Sequence, residues 1–264
     1  MAEQRFEPQM FSRAADVMTH YVIPLYIDNW NGLPEQVGTA FLVQLGPADY
    51  LVSAAHVLDL RSEGRLYFYS GSNIRTEVLG QLCHSGKNVP RDQDNIDVAV
   101  VRLAPGTPRP PYREIERLAF EIHELRPRLL PRIGRDFAVL GFPSSKNEFR
   151  RAHGEIRAKA YAYFGHSADE SVYSELNLPT QDHLLLNFDR KSGINAQKEA
   201  VVFPKPQGMS GGPIWQFHSE DENDFRFGFP VVGVAVAHKE RQKLLQGTDI
   251  SFALQAIGIL QTGG

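Results

Sequence analysis

Short apolar runs rich in Val, Ile, Leu and Phe, set close together along the chain, predict an all-β protein built as two barrels. The runs are separated by Gly-Pro, Ser-Glu-Gly and Gly-Ser-Asn turns, residue types that reverse a chain between strands. Between about 108 and 134 the series is interrupted by Pro108, Pro110, Pro111, Pro127 and Pro131 interleaved with arginines, and this break divides the strands into two sets. So many short strands per set favour barrels over open sheets.

The elements follow in order. Met10, Phe11, Ala14, Val17 and Met18 recur at helical spacing between Pro8 and His20, which predicts a short amphipathic helix in the segment 1–21 that packs against a barrel. The first barrel, 22–107, opens with a strand over Tyr21 to Ile27, placed at an edge by Pro24. Strands follow over Ala40 to Leu45, Tyr50 to Ala54, Arg65 to Tyr69, Arg75 to Cys83 and Val98 to Leu103. The connector, 108–134, carries one helical patch over Ile115 to Leu125. The second barrel and C-terminal segment, 135–264, take strands over Asp136 to Phe142, Glu155 to Phe164, His183 to Phe188, Ala200 to Phe203, Pro213 to Phe217, Val231 to Ala237 and Asp249 to Leu254.

Composition narrows the function. A chain of 264 residues with 42% hydrophobic content has ample core, and a formal charge of −3 with no Lys/Arg block leaves no electrostatic footprint for nucleic acid or a membrane surface. No run approaches the length of a membrane span. The start, Met1-Ala2-Glu3-Gln4-Arg5-Phe6-Glu7, mixes charges and lacks the apolar core of a signal peptide. A single cysteine, Cys83, cannot form an internal disulfide, so the expected location is cytoplasmic. The adjacent Cys83 and His84 face opposite sides of a strand and make a poor nucleophile and base. The histidines lack the spacing of a metal site, so neither metal nor cofactor is expected. The acidic run Ser219-Glu220-Asp221-Glu222-Asn223-Asp224 reads as a solvated hairpin tip, with a calcium loop as the alternative.

The chemistry resides in three motifs. Gln207-Gly208-Met209-Ser210-Gly211-Gly212-Pro213 sets a serine among glycines on a turn between strands. There an acyl group can approach and the N–H groups of Gly208 and Ser210 can be aimed at one oxygen. Taken alone, it reads as a Gly-Ser turn. Ser53-Ala54-Ala55-His56 ends a strand in a histidine, and Asn95-Ile96-Asp97 places an acid at the head of the strand Val98-Ala99-Val100. In the order His56, Asp97, Ser210 they form the elements of a base, an orienting acid and a nucleophile.

These motifs resemble the Thr-Ala-Ala-His, Asp-Ile-Ala-Leu and Gly-Asp-Ser-Gly-Gly-Pro of the trypsin-like (chymotrypsin-fold) serine peptidases, of the disulfide-free bacterial kind. The likeness extends from about Val22 to Leu254. It implies two six-stranded antiparallel β-barrels with the site in the cleft between them, and a serine endopeptidase acting on protein or peptide substrates through His56, Asp97 and Ser210. A regulatory partner protein, or one dedicated protein substrate as in some bacterial defence systems, is compatible with it. The alternative is a catalytically silent binding module. Met209 replaces the acid that precedes the nucleophile in trypsin-like zymogens, so activation through an ion pair to a new N-terminus is not expected.

By the same resemblance the substrate pocket is walled by Val236, Ala237 and His238 and closed by a strand bearing Ser251 and Ala253. Pro204 stands where trypsin-like enzymes carry an acid. Small or medium aliphatic side chains are therefore expected at the cleaved bond. His238 with Lys239 would instead favour Asp or Glu, and Asp249, were the register shifted by two, a basic residue.

Overall fold

The computed structural model describes residues 15–70, 74–86, 89–112, 115–116, 118–150, 155–194, 200–217 and 230–263. In the first half, β1 (Val22–Asp28), β2 (Pro34–Leu45), β3 (Ala48–Ala54), β4 (Tyr67–Tyr69), β5 (Arg75–Glu77), β6 (Gly80–His84) and β7 (Val98–Leu103) form one antiparallel sheet in the order β5-β4-β1-β2-β3-β7-β6. β5 and β6 are two halves of the single run expected over Arg75 to Cys83. The residues between them stay bonded on both sides, with Val78 N–H donating to Leu66 O at 2.9 Å and Ala104 N–H donating to Leu79 O at 3.1 Å. The ends of the sheet are thus one stretch of chain, and the sheet curls shut.

The second half repeats the plan. β8 (Asp136–Gly141), β9 (Tyr161–His166), β10 (His183–Asn187), β11 (Pro213–Phe217), β12 (Val231–Lys239) and β13 (Leu244–Asp249) order as β9-β8-β11-β12-β13-β10. The two outer strands meet where Ala168 N–H donates to Leu185 O at 2.7 Å. The molecule is therefore two curled antiparallel barrels, as the sequence implied. Trp215, Phe217, Leu140 and Phe142 of the second half pack into the same apolar cluster as Phe41, Leu51 and Val100 of the first, so the barrels share a buried seam.

Several elements differ from expectation. Of the N-terminal helix only 15–18 lie within the described residues, followed by a 3-10 turn over Thr19–Tyr21; Met10, Phe11 and Ala14 fall outside them. Met18 is buried, whereas Val17 is exposed. The helical patch at 115–125 is instead extended at Ile115–Glu116 and Phe120–Glu121, with a 3-10 turn over Ile122–Glu124. Phe120 runs parallel to β2 opposite Val43 and stacks on Tyr21 with centroids 4.2 Å apart. Long-range packing of that ring overrides the local helical periodicity.

The run Glu155 to Phe164 divides into β9 and a strand Glu155–Ala158 that pairs outside the barrel with Asn147–Arg150. α1 (Ala55–Asp59) follows β3 directly, and α2 (Glu170–Glu175) stands between β9 and β10. The largest correction is at the C-terminus. Ser251–Thr262 is a helix, α3, not the continuation of a strand from Asp249 to Leu254. Its Ala253, Ala256, Ile257 and Leu260 join the apolar cluster that the two barrels share, and Leu260 O accepts from an Arg102 Nη at 3.2 Å. Those four positions stand at i, i+3, i+4 and i+7, which is one face of a helix that can cover β6 and β7; on a strand they would split between its two faces.

Candidate active site

β3 delivers the histidine. Its last residues are fully buried, and the chain turns immediately into α1, which places His56 on the first turn with its side chain 41% exposed. Asp97 precedes β7, hydrogen-bonded neighbour of β3, and adopts a left-handed backbone, φ 47°. That conformation is uncommon for a side-chain-bearing residue and better tolerated by Asp and Asn. Asp97 holds the histidine at two points and the residue before it at a third. Its carbonyl accepts from Ala55 N–H at 2.9 Å, Oδ1 accepts from His56 N–H at 2.8 Å, and Oδ2 lies 2.6 Å from His56 Nδ1.

The loop carrying Asp97 is itself fastened by residues outside the three motifs. Asp94 Oδ2 accepts from Ser85 Oγ at 2.7 Å and from Arg91, while Oδ1 accepts from Ile96 N–H at 3.1 Å. Burial alone would raise the Asp94 carboxyl. The bonds from Ser85 and from the Asp97 and Ile96 amides, with the Arg91 charge, overcome it and hold Asp94 below the usual carboxylate range. From the second barrel, Gln246 Nε2 donates to Asn95 O at 3.2 Å and Thr248 Oγ1 to Ile96 O at 2.7 Å. Isolated polar residues in a β-strand give no sequence signal for this role, because their partners lie some 150 positions away.

Ser210 sits on the loop before β11. Thr39 N–H donates to Ser210 O at 2.8 Å, Gly211 N–H to Ala235 O at 2.7 Å and Gly212 N–H to Met209 O at 3.0 Å. Gly208 and Gly211 have φ of 88° and 90°, where a side chain is strained. A Cβ on Gly211 would lie 2.1 Å from Ser53 Oγ and 3.0 Å from Ala54 N. The serine loop thus lies directly against the strand end that leads into His56. Among the described residues, the hydroxyl of Ser210 donates to Val236 O, 3.4 Å away, and not to His56. Such bonds are often long or unaligned in a free site and tighten when substrate is bound. The N–H groups of Gly208 and Ser210 have no acceptor among the described residues, unlike those of Met209, Gly211 and Gly212.

The residues expected at the pocket stand on β12 and in α3. Val236 lies at a bulge of β12 between Ala235 and Ala237, and His238 pairs with Leu245 of β13. The His238 ring stands edge-on to Phe188 with centroids 5.2 Å apart; burial, assisted by Arg190 and opposed by Glu240, lowers its pKa. Ser251 and Ala253 do not lie on a strand beside these residues. They are buried in α3, Ala253 within the apolar cluster that the barrels share, so the strand expected to carry them is a helix. Asp249 is also committed elsewhere. It forms an ion pair with Arg132, the two side chains being 0% and 1% exposed, and its Oδ1 and Oδ2 accept from the N–H groups of Ser251 at 2.8 Å and Arg128 at 3.0 Å.

Among the described residues no group of three or more His, Cys, Asp or Glu could hold a metal ion, and no helix is long and apolar enough to cross a membrane. The acidic run at 219–224 lies outside the described residues.

The fold is that of the chymotrypsin-like serine proteases. No protein-family model matches the chain, and no curated protein matches it in sequence. Among solved structures it is similar to the thermostable serine protease AL20 from an extremophilic microorganism, at 12% identity and a TM-score of 0.53, over 95% of this chain and 100% of that one. It is also similar to the VesB protease of Vibrio cholerae, at 13% identity and a TM-score of 0.50, over 90% of this chain and 62% of that one.

Proposed function

We propose that the protein is a serine endopeptidase that hydrolyses peptide bonds through His56, Asp97 and Ser210. The observation that carries the reading is the two-point grip of Asp97 on His56, at 2.8 and 2.6 Å, next to a serine loop packed on the same strand end. With Oδ2 accepting the Nδ1 proton, His56 Nε2 is free to act as base. It takes the Ser210 proton as Oγ attacks the carbonyl carbon, and then gives that proton to the departing amine. Water, activated by the same nitrogen, releases the acyl group from Ser210. The oxygen that becomes negative in each tetrahedral state is received by the N–H groups of Gly208 and Ser210, and losing one such donor costs about 10²–10³ in kcat.

The substrate is a protein or peptide, bound along the cleft with its side chain toward Val236, Ala237 and His238. An intracellular role accords with a single, buried and unpaired cysteine. Incubation with a fluorophosphonate probe, followed by peptide mapping, tests the reading. The label is expected on Ser210 and is expected to vanish in Ser210→Ala and His56→Ala. Folded wild-type protein that neither takes the label nor hydrolyses casein would leave a binding module in place of an enzyme.

A further inference from the structure

Any such mechanism needs the Gly208 N–H to face the cleft, and in this chain the position before the nucleophile is Met209, buried among apolar residues of the second barrel. Its side chain cannot set the loop by an ion pair. The hydrogen bonds show what does. Gln207 O accepts twice from one residue, from Ser144 N–H at 2.8 Å and from Ser144 Oγ at 2.9 Å. A peptide unit is planar and trans, so fixing this carbonyl fixes the Gly208 N–H on the opposite side. The next carbonyl, Gly208 O, also accepts twice, from Thr39 Oγ1 at 2.8 Å and Gln36 Nε2 at 3.0 Å.

Each barrel therefore clamps one of the two carbonyls that flank Gly208. Ser144 stands just past β8 of the second barrel; Thr39 and Gln36 stand on β2 of the first. We propose that Ser144, with Gln36 and Thr39 on the opposite side, is a positioning residue that locks the Gln207–Gly208 peptide with its N–H presented as an oxyanion donor, without a new N-terminus or a partner protein. Turning that peptide over would point the Gln207 carbonyl at the developing negative charge and leave both Ser144 donors without their acceptor. A side chain at 208 is also excluded, because its Cβ would lie 2.4 Å from Gln36 Oε1 and 2.7 Å from Phe142 O.

The inference rests on the proposed serine-hydrolase reading, and one assay separates the two. Full-length wild type, Ser144→Ala, Ser144→Thr and Gln36→Met are compared in p-nitrophenyl acetate hydrolysis, with fluorophosphonate labelling of Ser210 in parallel. Ser144→Ala keeps the N–H and loses only the hydroxyl, so kcat is expected to fall by about tenfold with KM within about twofold, a part of the loss seen when an oxyanion donor is removed outright. Ser144→Thr, which retains the hydroxyl, should recover most of the loss. Gln36→Met, which removes the donor to the other carbonyl at similar volume, should also lower kcat and not KM. Unchanged kcat in Ser144→Ala, a change confined to KM, or a loss that threonine does not restore would each overturn the positioning role while leaving the enzyme reading intact. A wild type that neither turns over the ester nor takes the label would overturn both.

Discussion

Asp97 grips His56 through both carboxylate oxygens, one on the backbone N–H at 2.8 Å and one on ring Nδ1 at 2.6 Å. Asp97→Asn should therefore separate orientation from chemistry. Asn tolerates the left-handed backbone of this position and can keep the bond to the His56 amide, but its NH₂ would face Nδ1 and force the proton onto Nε2. A fall in kcat on the order of 10⁴-fold with little change in melting temperature is expected. Ser210→Ala and His56→Ala should be at least as severe, since such groups act as a unit. Ester or peptide turnover measured beside thermal unfolding checks all three, and substantial turnover by folded Ser210→Ala would remove the mechanism.

Arg132 and Asp249 form a buried pair far in sequence from the triad, and its disruption should cost stability. Asp249→Ala leaves the Arg132 guanidinium uncompensated in the interior, and a loss of about 3–5 kcal/mol is expected. Denaturant unfolding measures it. If Asp249→Ala instead remained stable and altered the preferred residue at the cleaved bond, Asp249 would belong to the pocket after all.

Acid sensitivity should be traceable to Asp94. Its carboxyl titrates below its unfolded value, so the stabilisation is present above the unfolded pKa, near 3.9, and is lost as pH falls through the lower folded value. Asp94→Asn should destabilise the protein by about 2 kcal/mol at pH 7 through loss of charge-assisted bonds to Ser85 and Arg91. The gap to wild type should close below about pH 4. A pH-independent difference in unfolding free energy would show that the charge is not responsible.

Selectivity at the cleaved bond should be modest and directed at small or medium aliphatic side chains, because Val236 and Ala237 discriminate by size at only about 1–3 kcal/mol per methylene. His238, whose pKa is lowered chiefly by burial, supplies a neutral ring at pH 7 in preference to a fixed cation. Profiling against a peptide library tests this, and a strong Asp or Glu preference abolished in His238→Ala would assign the specificity to that ring.

The sequence by itself determined the class of fold and the candidate triad, for a local reason. Alternating and continuous apolar runs bounded by turn residues specify strands, and His56, Asp97 and Ser210 each lie in a short motif readable within a few neighbours. Only the tertiary structure decided the rest. Ser251 to Leu254 reads locally as a strand and becomes a helix because its apolar face covers the first barrel. Phe120 abandons a helical pattern to pair beside Val43 and stack on Tyr21. Asp249 is an acid near the expected pocket until Arg132 appears beside it. The clamps on the serine loop and on the Asp97 loop, Ser144, Gln36, Thr39, Gln246 and Thr248, are single polar residues whose partners are distant in the chain. Their meaning is set by which backbone atoms the two barrels bring within hydrogen-bonding distance, and no periodicity or motif encodes that.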